Sequence, residues 1–302
     1  MDASRTTACE PLAAPWWQRG GHAQTILPAC HRAAAPLWRR ERWTTPDGDF
    51  IDVDRCGNDH GAAPVLVLFH GLEGSSRSHY AQALIAAANA RGWLGIVPHF
   101  RSCSGELNLA PRFYHCGDAD EIDWILAKIA QHYPDRPLFA AGVSLGGNAL
   151  LRQLGLRRNV HVAAAAAISA PLDLPVAGAV LSTGFNRIYT KLFLHTLKRK
   201  ALAKLGQYPG LFDRDALHAC RDLYAFDNLV TAPLHGYRNA DDYWRRAASK
   251  PLLREIATPT LVLNARNDPL MPAFALPRAD EVSTAVELDF PRDGGHVGFA
   301  AA

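Results

Sequence analysis

The chain has 302 residues, of which 48% are hydrophobic and 20% are charged. This composition suits a globular protein with a full hydrophobic core, and α/β enzymes of this size often fold as one domain. The formal net charge is only +3 and comes from interspersed acidic and basic residues, so we expect no nucleic-acid partner. The six cysteines form no CxxC pair, which is typical of reduced thiols.

The sequence also carries no sign of secretion or membrane insertion. Residues 1–15 lack the basic end and the apolar run of a secretion signal. The longest apolar stretch, 162–181, is interrupted by Pro171, Asp173 and Pro175, well before it could cross a bilayer as one helix. We therefore expect a soluble, cytoplasmic protein.

The pattern of apolar runs predicts an α/β fold. Two β-like stretches, 37–44 and 49–54, flank the turn Pro46-Asp47-Gly48 and predict an antiparallel hairpin. Short apolar runs then alternate with longer helical stretches, which is typical of a mostly parallel sheet whose strands are buried on both faces. The runs cover residues 65–69, 94–97, 138–141, 162–168, 260–264 and 286–290.

Two consecutive apolar runs are separated by an unusually long segment. About 90 residues lie between the runs 162–168 and 260–264, far more than one crossover helix needs. We therefore predict a single domain over 1–302 with a helical cap inserted over approximately 172–250. Apolar residues recur near helical spacing inside it, at Ile188, Leu192, Leu194 and Leu197.

Basic residues gather in the same part of the insertion. They are Lys191, Lys198, Arg199, Lys200 and Lys204. Two interpretations remain open: a helix with an apolar inner face and a solvated outer face, or peripheral contact of the cap with an anionic membrane.

A G-x-S-x-G motif lies where an apolar strand meets a helical stretch, at Gly142-Val143-Ser144-Leu145-Gly146. A serine hydroxyl is a poor nucleophile unless a sharp turn presents it to a base, and small neighbours allow such a turn. We predict Ser144 as the nucleophile and Gly142 and Gly146 as residues that the turn requires. The alternative is a glycine-rich turn with an incidental serine.

The loop after the run 65–69, His70-Gly71-Leu72-Glu73-Gly74, occupies the place where such folds supply an oxyanion hole. We assign the two donors to the N–H groups of Leu72 and Leu145, since two amides aimed at one carbonyl oxygen stabilise its developing negative charge. His70 is interpreted as a brace for the loop and not as a catalytic group.

An acid and a base follow in the order that a hydrolase requires. Asp268 comes after the run 260–264 and, taken alone, would be interpreted as a turn residue before proline. His296 comes after the last run, within a Gly-Gly-His motif. Because Ser, Asp and His then stand in hydrolase order, we predict that Asp268 orients His296 and that His296 is the general base.

The other histidines and acids receive simpler interpretations. The histidines show neither HExxH spacing nor a ligand cluster, so we expect no metal and no cofactor. His115-x-x-x-x-Asp120 matches a short acyltransferase signature, but we interpret Asp118, Asp120 and Glu121 as acids at the start of a helix.

With these residues, the chain resembles the YheT-like branch of α/β-hydrolases, which is related to the mammalian abhydrolase lipid hydrolases. The matching motifs run nearly from end to end: 21–25, 70–75, 101–106, 111–115, the nucleophile turn, 186–189, 226–227, 231–237, 242–243 and the Asp-Pro and Gly-Gly-His motifs. The resemblance implies a serine esterase that acts on a small-molecule carboxylic ester, short- to medium-chain or lipid-like, with the triad on Ser144, Asp268 and His296.

Two departures from the family pattern produce further expectations. Ser102 follows Arg101 where the family has glycine, so we expect a changed loop there. The family continues beyond the Gly-Gly-His motif into a last helix, which we expect to be missing from this sequence. His296 would then be loosely held, and a homodimer is one way to cover that face. Acyl transfer, thioester cleavage and ligand binding without turnover stay open beside ester hydrolysis.

Overall fold

The computed structural model describes residues 14–30, 36–157 and 161–299. Within these residues, eight strands form one sheet in the order β1-β2-β4-β3-β5-β6-β7-β8. The residues 1–13, which carry most of the secretion-signal expectation, lie outside the described part. The strands are β1 (Arg39–Thr44), β2 (Phe50–Cys56), β3 (Val65–Phe69), β4 (Leu94–Pro98), β5 (Leu138–Val143), β6 (Val162–Ile168), β7 (Thr260–Leu263) and β8 (Val286–Asp289).

The sheet is mixed in the way that the sequence predicts. Strand β2 pairs antiparallel with β1 and β4, and every other neighbouring pair is parallel. The hairpin is closed by hydrogen bonds between Thr45 N–H and Asp49 O (2.9 Å) and between Gly48 N–H and Thr45 O (3.0 Å). The predicted fold class is confirmed.

Helices cover the two faces of the sheet. Alternate residues of β3 point to opposite faces, so Val65, Val67 and Phe69 belong to one buried cluster and Leu66 and Leu68 to another. The α-helices are α1 (Gly21–Cys30), α2 (His79–Ala90), α3 (Ala119–His132), α4 (Leu145–Leu156), α5 (Leu174–Leu181), α6 (Arg187–Gln207), α7 (Arg214–Ala219), α8 (Leu223–Phe226), α9 (Ala232–Leu234) and α10 (Ala240–Ala247).

The expectation that every parallel strand is buried on both faces is wrong for β8. Its Glu287 and Asp289 are exposed. Strand β8 is last in the strand order, so one of its edges has no strand neighbour and water reaches its side chains.

Helices α5 to α10 lie between β6 and β7, where the sequence predicts an insertion. The division into one domain with a cap over approximately 172–250 stays a prediction. In α6 the apolar residues do not all face inward, because Leu194 is buried whereas Ile188 and Leu192 are exposed. Among the described residues, no helix is both long enough and apolar enough to span a membrane.

Two basic residues of α6 also contradict the idea of a solvated basic face. Lys204 is fully buried, and its Nζ donates to Asn108 O at 2.6 Å and to Ala110 O at 3.0 Å. Its pKa is lowered to about 8 by desolvation. Lys200 Nζ lies 2.7 Å from a carboxylate oxygen of Glu73. Both lysines therefore connect α6 to the loops beneath it, and peripheral membrane contact stays a prediction.

The loop after β4 compensates for its missing glycine. Ser102 has a φ of 65°, a left-handed conformation that glycine favours. Its Oγ donates to Asn108 Oδ1 at 2.6 Å and accepts from Asn108 N–H at 3.1 Å. These bonds offset a backbone strain of about 1–3 kcal/mol, so the left-handed turn persists without glycine.

Candidate active site

The G-x-S-x-G motif forms a strained turn between β5 and α4. Ser144 has φ 53° and ψ −120°, values that a non-glycine residue adopts only when its surroundings impose them. A Cβ on Gly142 would lie 2.5 Å from Gly146 O, and one on Gly146 would lie 2.5 Å from His70 O. No side chain fits at either position, which explains why the turn needs glycine on both sides of the serine.

The three residues predicted to form a triad come together although 152 positions separate the first from the last. His296 Nε2 is 3.0 Å from Ser144 Oγ, and His296 Nδ1 is 2.9 Å from Asp268 Oδ2. The Asp268 side chain is completely buried, and its other oxygen accepts from Leu270 N–H at 2.8 Å. Because the carboxylate accepts a hydrogen bond from Nδ1–H, the unprotonated Nε2 faces the serine hydroxyl, which is the arrangement that a general base requires.

The loop after β3 lies directly against the serine. A Cβ on Gly71 would be 3.2 Å from Ser144 Cβ, and Leu72 lines the same pocket as Ser144. In the described part of the chain, neither Leu72 N–H nor Leu145 N–H donates to a protein acceptor. Leu145 begins α4, where N–H groups have no partner within the helix. Both amides are therefore available to an oxygen placed beside Ser144.

Several hydrogen bonds fix the conformation of this loop. His70 is fully buried, its Nδ1–H donates to Gly71 O at 2.8 Å, and its Nε2 accepts from Phe100 N–H at 3.0 Å. Burial lowers the pKa of His70 to about 3, so the ring stays neutral. Tyr80 Oη accepts from Gly71 N–H at 2.8 Å. These contacts agree with a bracing role for His70.

Glu73 connects the same loop to the insertion. It has a φ of 57°, and its N–H donates to Tyr114 Oη at 2.7 Å. Tyr114 Oη donates in turn to Glu73 Oε1 at 2.9 Å, and Lys200 Nζ of α6 lies 2.7 Å from the same oxygen. The residue after Leu72 is thus held by a helix of the insertion, a link that no local sequence pattern indicates.

The His296 loop is held by α1, contrary to the expectation that it would be loose. His296 N–H donates to Thr25 Oγ1 at 2.9 Å, and Gly294 N–H donates to Gln24 Oε1 at 2.8 Å. Val297 N–H donates to Ser169 Oγ at 3.0 Å. The motif 21–25 therefore supplies the contacts that a further helix was expected to supply.

Gln24 also connects the His296 loop to the Asp268 loop. Asn267 Nδ2 donates to Gln24 Oε1 at 2.8 Å and to Asp293 Oδ1 at 3.0 Å. Gly295 N–H donates to Asn267 Oδ1 at 2.9 Å. Sequence reasoning assigned no role to Gln24 or Asn267. The partners of Gln24, Asn267 and Gly294, lie more than 240 positions away from it in the chain, so no local pattern indicates these contacts.

A mostly apolar pocket opens above Ser144 and His296. The walls come from the predicted oxyanion loop (70–74), the segment 113–116 and the helices between β6 and β7. Its apolar side chains include Phe113, Leu174, Leu181, Phe193, Leu197, Leu223, Phe226 and Leu270. Such a lining excludes water from the serine and favours an apolar chain.

Polar side chains also line this pocket. The rings of His115 and His235 are in tilted contact with centroids 4.2 Å apart, and desolvation lowers the pKa of each to about 3, so both are neutral. Lys200 and Glu73 pair with each other, and Asp227 is the remaining carboxyl group in the lining. Within the described ranges, no group of three or more His, Cys, Asp or Glu side chains is placed to hold a metal ion.

The acids near His115 lie at the start of α3, where the sequence predicts them. Asp118 precedes α3, but its side chain does not cap the helix and instead accepts from Arg112 at 2.8 Å. Glu121 lies in the first turn and accepts from Arg101 Nε at 2.6 Å. All three acids therefore stand at the start of α3, as the sequence predicts, and the Asp118 side chain uses a charge-assisted bond to arginine in place of a capping bond.

The fold and the site together define a class. Residues 64–300 match the family model described as the alpha/beta hydrolase fold. The chain belongs to the α/β-hydrolase family.

Individual relatives agree with this assignment and with the resemblance to the YheT-like branch. The chain is 41% identical over 286 residues to the Escherichia coli (strain K12) protein called "Putative esterase YheT". The aligned region covers 92% of this chain and 84% of that protein. It is 29% identical over 294 residues to human phospholipase ABHD3, and the aligned region covers 94% of this chain and 72% of that protein.

A solved esterase structure from Pyrococcus furiosus has the same fold. It superposes with a TM-score of 0.55 at 17% sequence identity, over 88% of this chain and 89% of that chain. At this identity the likeness shows the fold alone.

Proposed function

We propose that the protein hydrolyses carboxylic esters through an acyl-serine intermediate. The observation that carries the proposal is the hydrogen-bonded series Ser144–His296–Asp268 at the floor of an apolar pocket. Ser144 is the nucleophile, His296 the general base and Asp268 the group that orients the imidazole.

The geometry supports a two-step reaction. Ser144 Oγ attacks the ester carbon while His296 Nε2 takes its proton, and the carbonyl oxygen becomes negative between Leu72 N–H and Leu145 N–H. His296 then gives the proton to the departing alcohol, which leaves an acyl group on Ser144. Water, deprotonated by His296, attacks the acyl carbon; the bond to Ser144 Oγ then breaks, His296 returns the proton to Oγ, and the acid is released.

The pocket favours esters with an apolar acyl or alcohol part. Short- to medium-chain or lipid-like esters fit its side chains, since burying an apolar chain contributes about 0.8 kcal/mol per CH₂. The similarity to a phospholipase and the match to the α/β-hydrolase fold model support this substrate class.

The test compares hydrolysis of p-nitrophenyl esters of increasing acyl length by the wild type and by Ser144→Ala. We expect loss of at least about a thousandfold in kcat for Ser144→Ala. Ser182→Ala is a matched control, because Ser182 is exposed and lies outside the pocket lining. Equal hydrolysis by Ser144→Ala and the wild type would contradict the proposal.

Acyl transfer and thioester cleavage use the same acyl-serine. Adding alcohol acceptors separates acyl transfer from hydrolysis: free acid as the main product supports the esterase proposal, and a new ester as the main product supports transfer. Comparing kcat/KM for an ester and a thioester of the same acyl group separates thioester cleavage.

A further inference from the structure

Asp227 lies in the wall of the active-site pocket, away from the triad. It follows α8 directly and lines the same cavity as Ser144 and His296. Part of its surface is accessible although protein groups surround it. Asp227 thus combines a partly accessible surface with a place in the cavity lining.

Two hydrogen bonds fix the Asp227 carboxyl group. Trp244 Nε1–H donates to Oδ2 at 2.8 Å, and Thr231 Oγ1–H donates to Oδ1 at 2.6 Å. A carboxylate can accept about four hydrogen bonds, so about two positions remain free. The two donors hold the group in one orientation without using all of its capacity.

The backbone at this point departs from a regular helix. Residues Asp227–Thr231 form one π-helical turn between α8 and α9. A π turn is uncommon and is found frequently at functional sites, because it costs helix stability and persists where it places a side chain. Here it carries both Asp227 and its partner Thr231.

No basic side chain compensates the charge of this carboxyl group. Among the ion pairs of the described residues, none involves Asp227. Lys200, the cation of the pocket lining, is paired with Glu73. A buried carboxyl without a cation is costly for stability, which points to a use in binding.

We propose that Asp227 is a specificity-determining residue that accepts a hydrogen bond from a hydroxyl group of the substrate, so that the pocket selects hydroxyl-bearing esters. The inference rests on the proposed ester hydrolysis and names the substrate class for that site. Desolvation raises the pKa of Asp227 to about 6, so near pH 8 the group is mainly an acceptor.

A hydroxyl fits this position better than an ammonium group. The single O–H donor of a hydroxyl group needs only one acceptor, and bringing the hydroxyl group into an apolar cavity costs a few kcal/mol. An ammonium or trimethylammonium group carries a full positive charge, and its effective desolvation penalty is larger unless several negative or accepting groups surround it. The other carboxylate of the pocket lining, Glu73, is paired with Lys200 and does not supply a second negative charge.

The test measures kcat/KM at pH 8 for two matched pairs of esters. One pair places the hydroxyl on the acyl part, p-nitrophenyl ω-hydroxyoctanoate against p-nitrophenyl octanoate. The other places it on the alcohol part, glycerol monooctanoate against propyl octanoate. We expect the wild type to prefer the hydroxyl-bearing ester by at least about tenfold in one pair. The preferred pair reveals which part of the substrate reaches Asp227.

Two variants and a control identify the cause of the preference. Asp227→Leu should abolish it by lowering kcat/KM for the hydroxyl-bearing ester, whereas Asp227→Asn should keep part of it because its amide oxygen still accepts. Asp222→Asn is the control, since Asp222 caps α8 and lies outside the pocket lining. It should keep the wild-type ratio.

Three results would overturn the inference: a wild type without preference in both pairs, a preference that Asp227→Leu retains, or a residue-227-dependent preference for octanoylcholine over the hydroxyl-bearing esters. Asp227→Asn keeps the test valid if the leucine variant does not fold. A wild type that hydrolyses none of these esters would instead remove the proposed function itself. Hydrolysis with an unchanged ratio would remove only the role of Asp227.

Discussion

At the residue scale, Asp227 shows how a binding group can oppose stability. Desolvation raises its pKa to about 6, above the value near 4 that it has in an unfolded chain. Folding therefore favours the protonated form. Ionisation of Asp227 has no effect on the unfolding free energy below about pH 4. Stability is lost as the pH rises through 6, because the folded state must then hold a buried charge.

We predict that Asp227→Asn becomes more stable than the wild type as the pH rises. The gain in unfolding free energy should grow between pH 4 and pH 7 and reach at most about 3 kcal/mol. Urea unfolding at several pH values measures it, with Asp222→Asn as the reference. A gain that is the same at pH 4 and pH 7 would contradict the burial argument.

Two glycines provide a matched contrast. A Cβ on Gly146 would collide with backbone oxygen atoms of β3 and the loop after it, whereas a Cβ on Gly206 of α6 would meet open space. We predict that Gly146→Ala is destabilised by at least about 3 kcal/mol and that Gly206→Ala is stabilised by about 0.5–1 kcal/mol. Thermal unfolding compares them, and equal effects would show that the turn is not as crowded as described.

At the element scale, α1 is the support of the His296 loop. Gln24 is buried and its side chain contacts both Gly294 and Asn267. We predict that Gln24→Ala lowers kcat by about ten- to a hundredfold with a smaller change in KM, because small displacements of a catalytic base are costly. Steady-state kinetics measure this, with Gln82→Ala on α2 as the control.

A loss confined to KM would instead mean that α1 affects substrate binding. If Gln24→Ala has both the melting temperature and the kcat of the wild type, Gln24 does not support the His296 loop.

Helix α6 holds the oxyanion loop through Lys200 and Glu73. We predict that Lys200→Met lowers kcat about tenfold and that Lys200→Arg restores most of it, since arginine also pairs with Glu73. The exposed Lys191 supplies the control Lys191→Met on the same helix. If Lys200→Met and Lys191→Met have the same kcat, the link does not position the loop.

Elements could be predicted from sequence where the signal is local. Short apolar runs predict the strands, because a parallel strand covered on both faces consists almost entirely of apolar residues. The G-x-S-x-G motif predicts the turn, because only glycine fits sterically at its two ends. Local sequence does not determine the side to which a lysine of α6 points. Lys204 is buried only because the loop 108–110 lies beneath it and supplies carbonyl acceptors.

The same reasoning explains what was missed at the site. Chain order alone predicts that Ser144, Asp268 and His296 act together, whereas the contacts of Gln24 with the His296 loop depend on the opposite end of the chain. The role of Asp227 depends on a π turn, which has no recognisable sequence pattern. Contacts between distant segments therefore account for most of what the sequence left open.

At the scale of the whole molecule, the sheet brings the three triad residues to one edge, and the insertion covers them with apolar side chains. Parallel strands end at the same side of a sheet, so loops after β3, β5, β7 and β8 meet there. The α/β-hydrolase frame thus supplies the position of the chemistry, and the insertion supplies the shape of the pocket.

The most direct measurement is mass spectrometry of the protein after treatment with a fluorophosphonate. This reagent forms a covalent bond only with a serine whose hydroxyl is activated by a base. We predict one adduct, on the peptide that contains Ser144, and its absence from Ser144→Ala and His296→Ala. A folded wild type that carries no adduct on Ser144 would contradict the proposed serine hydrolase and favour ligand binding without turnover.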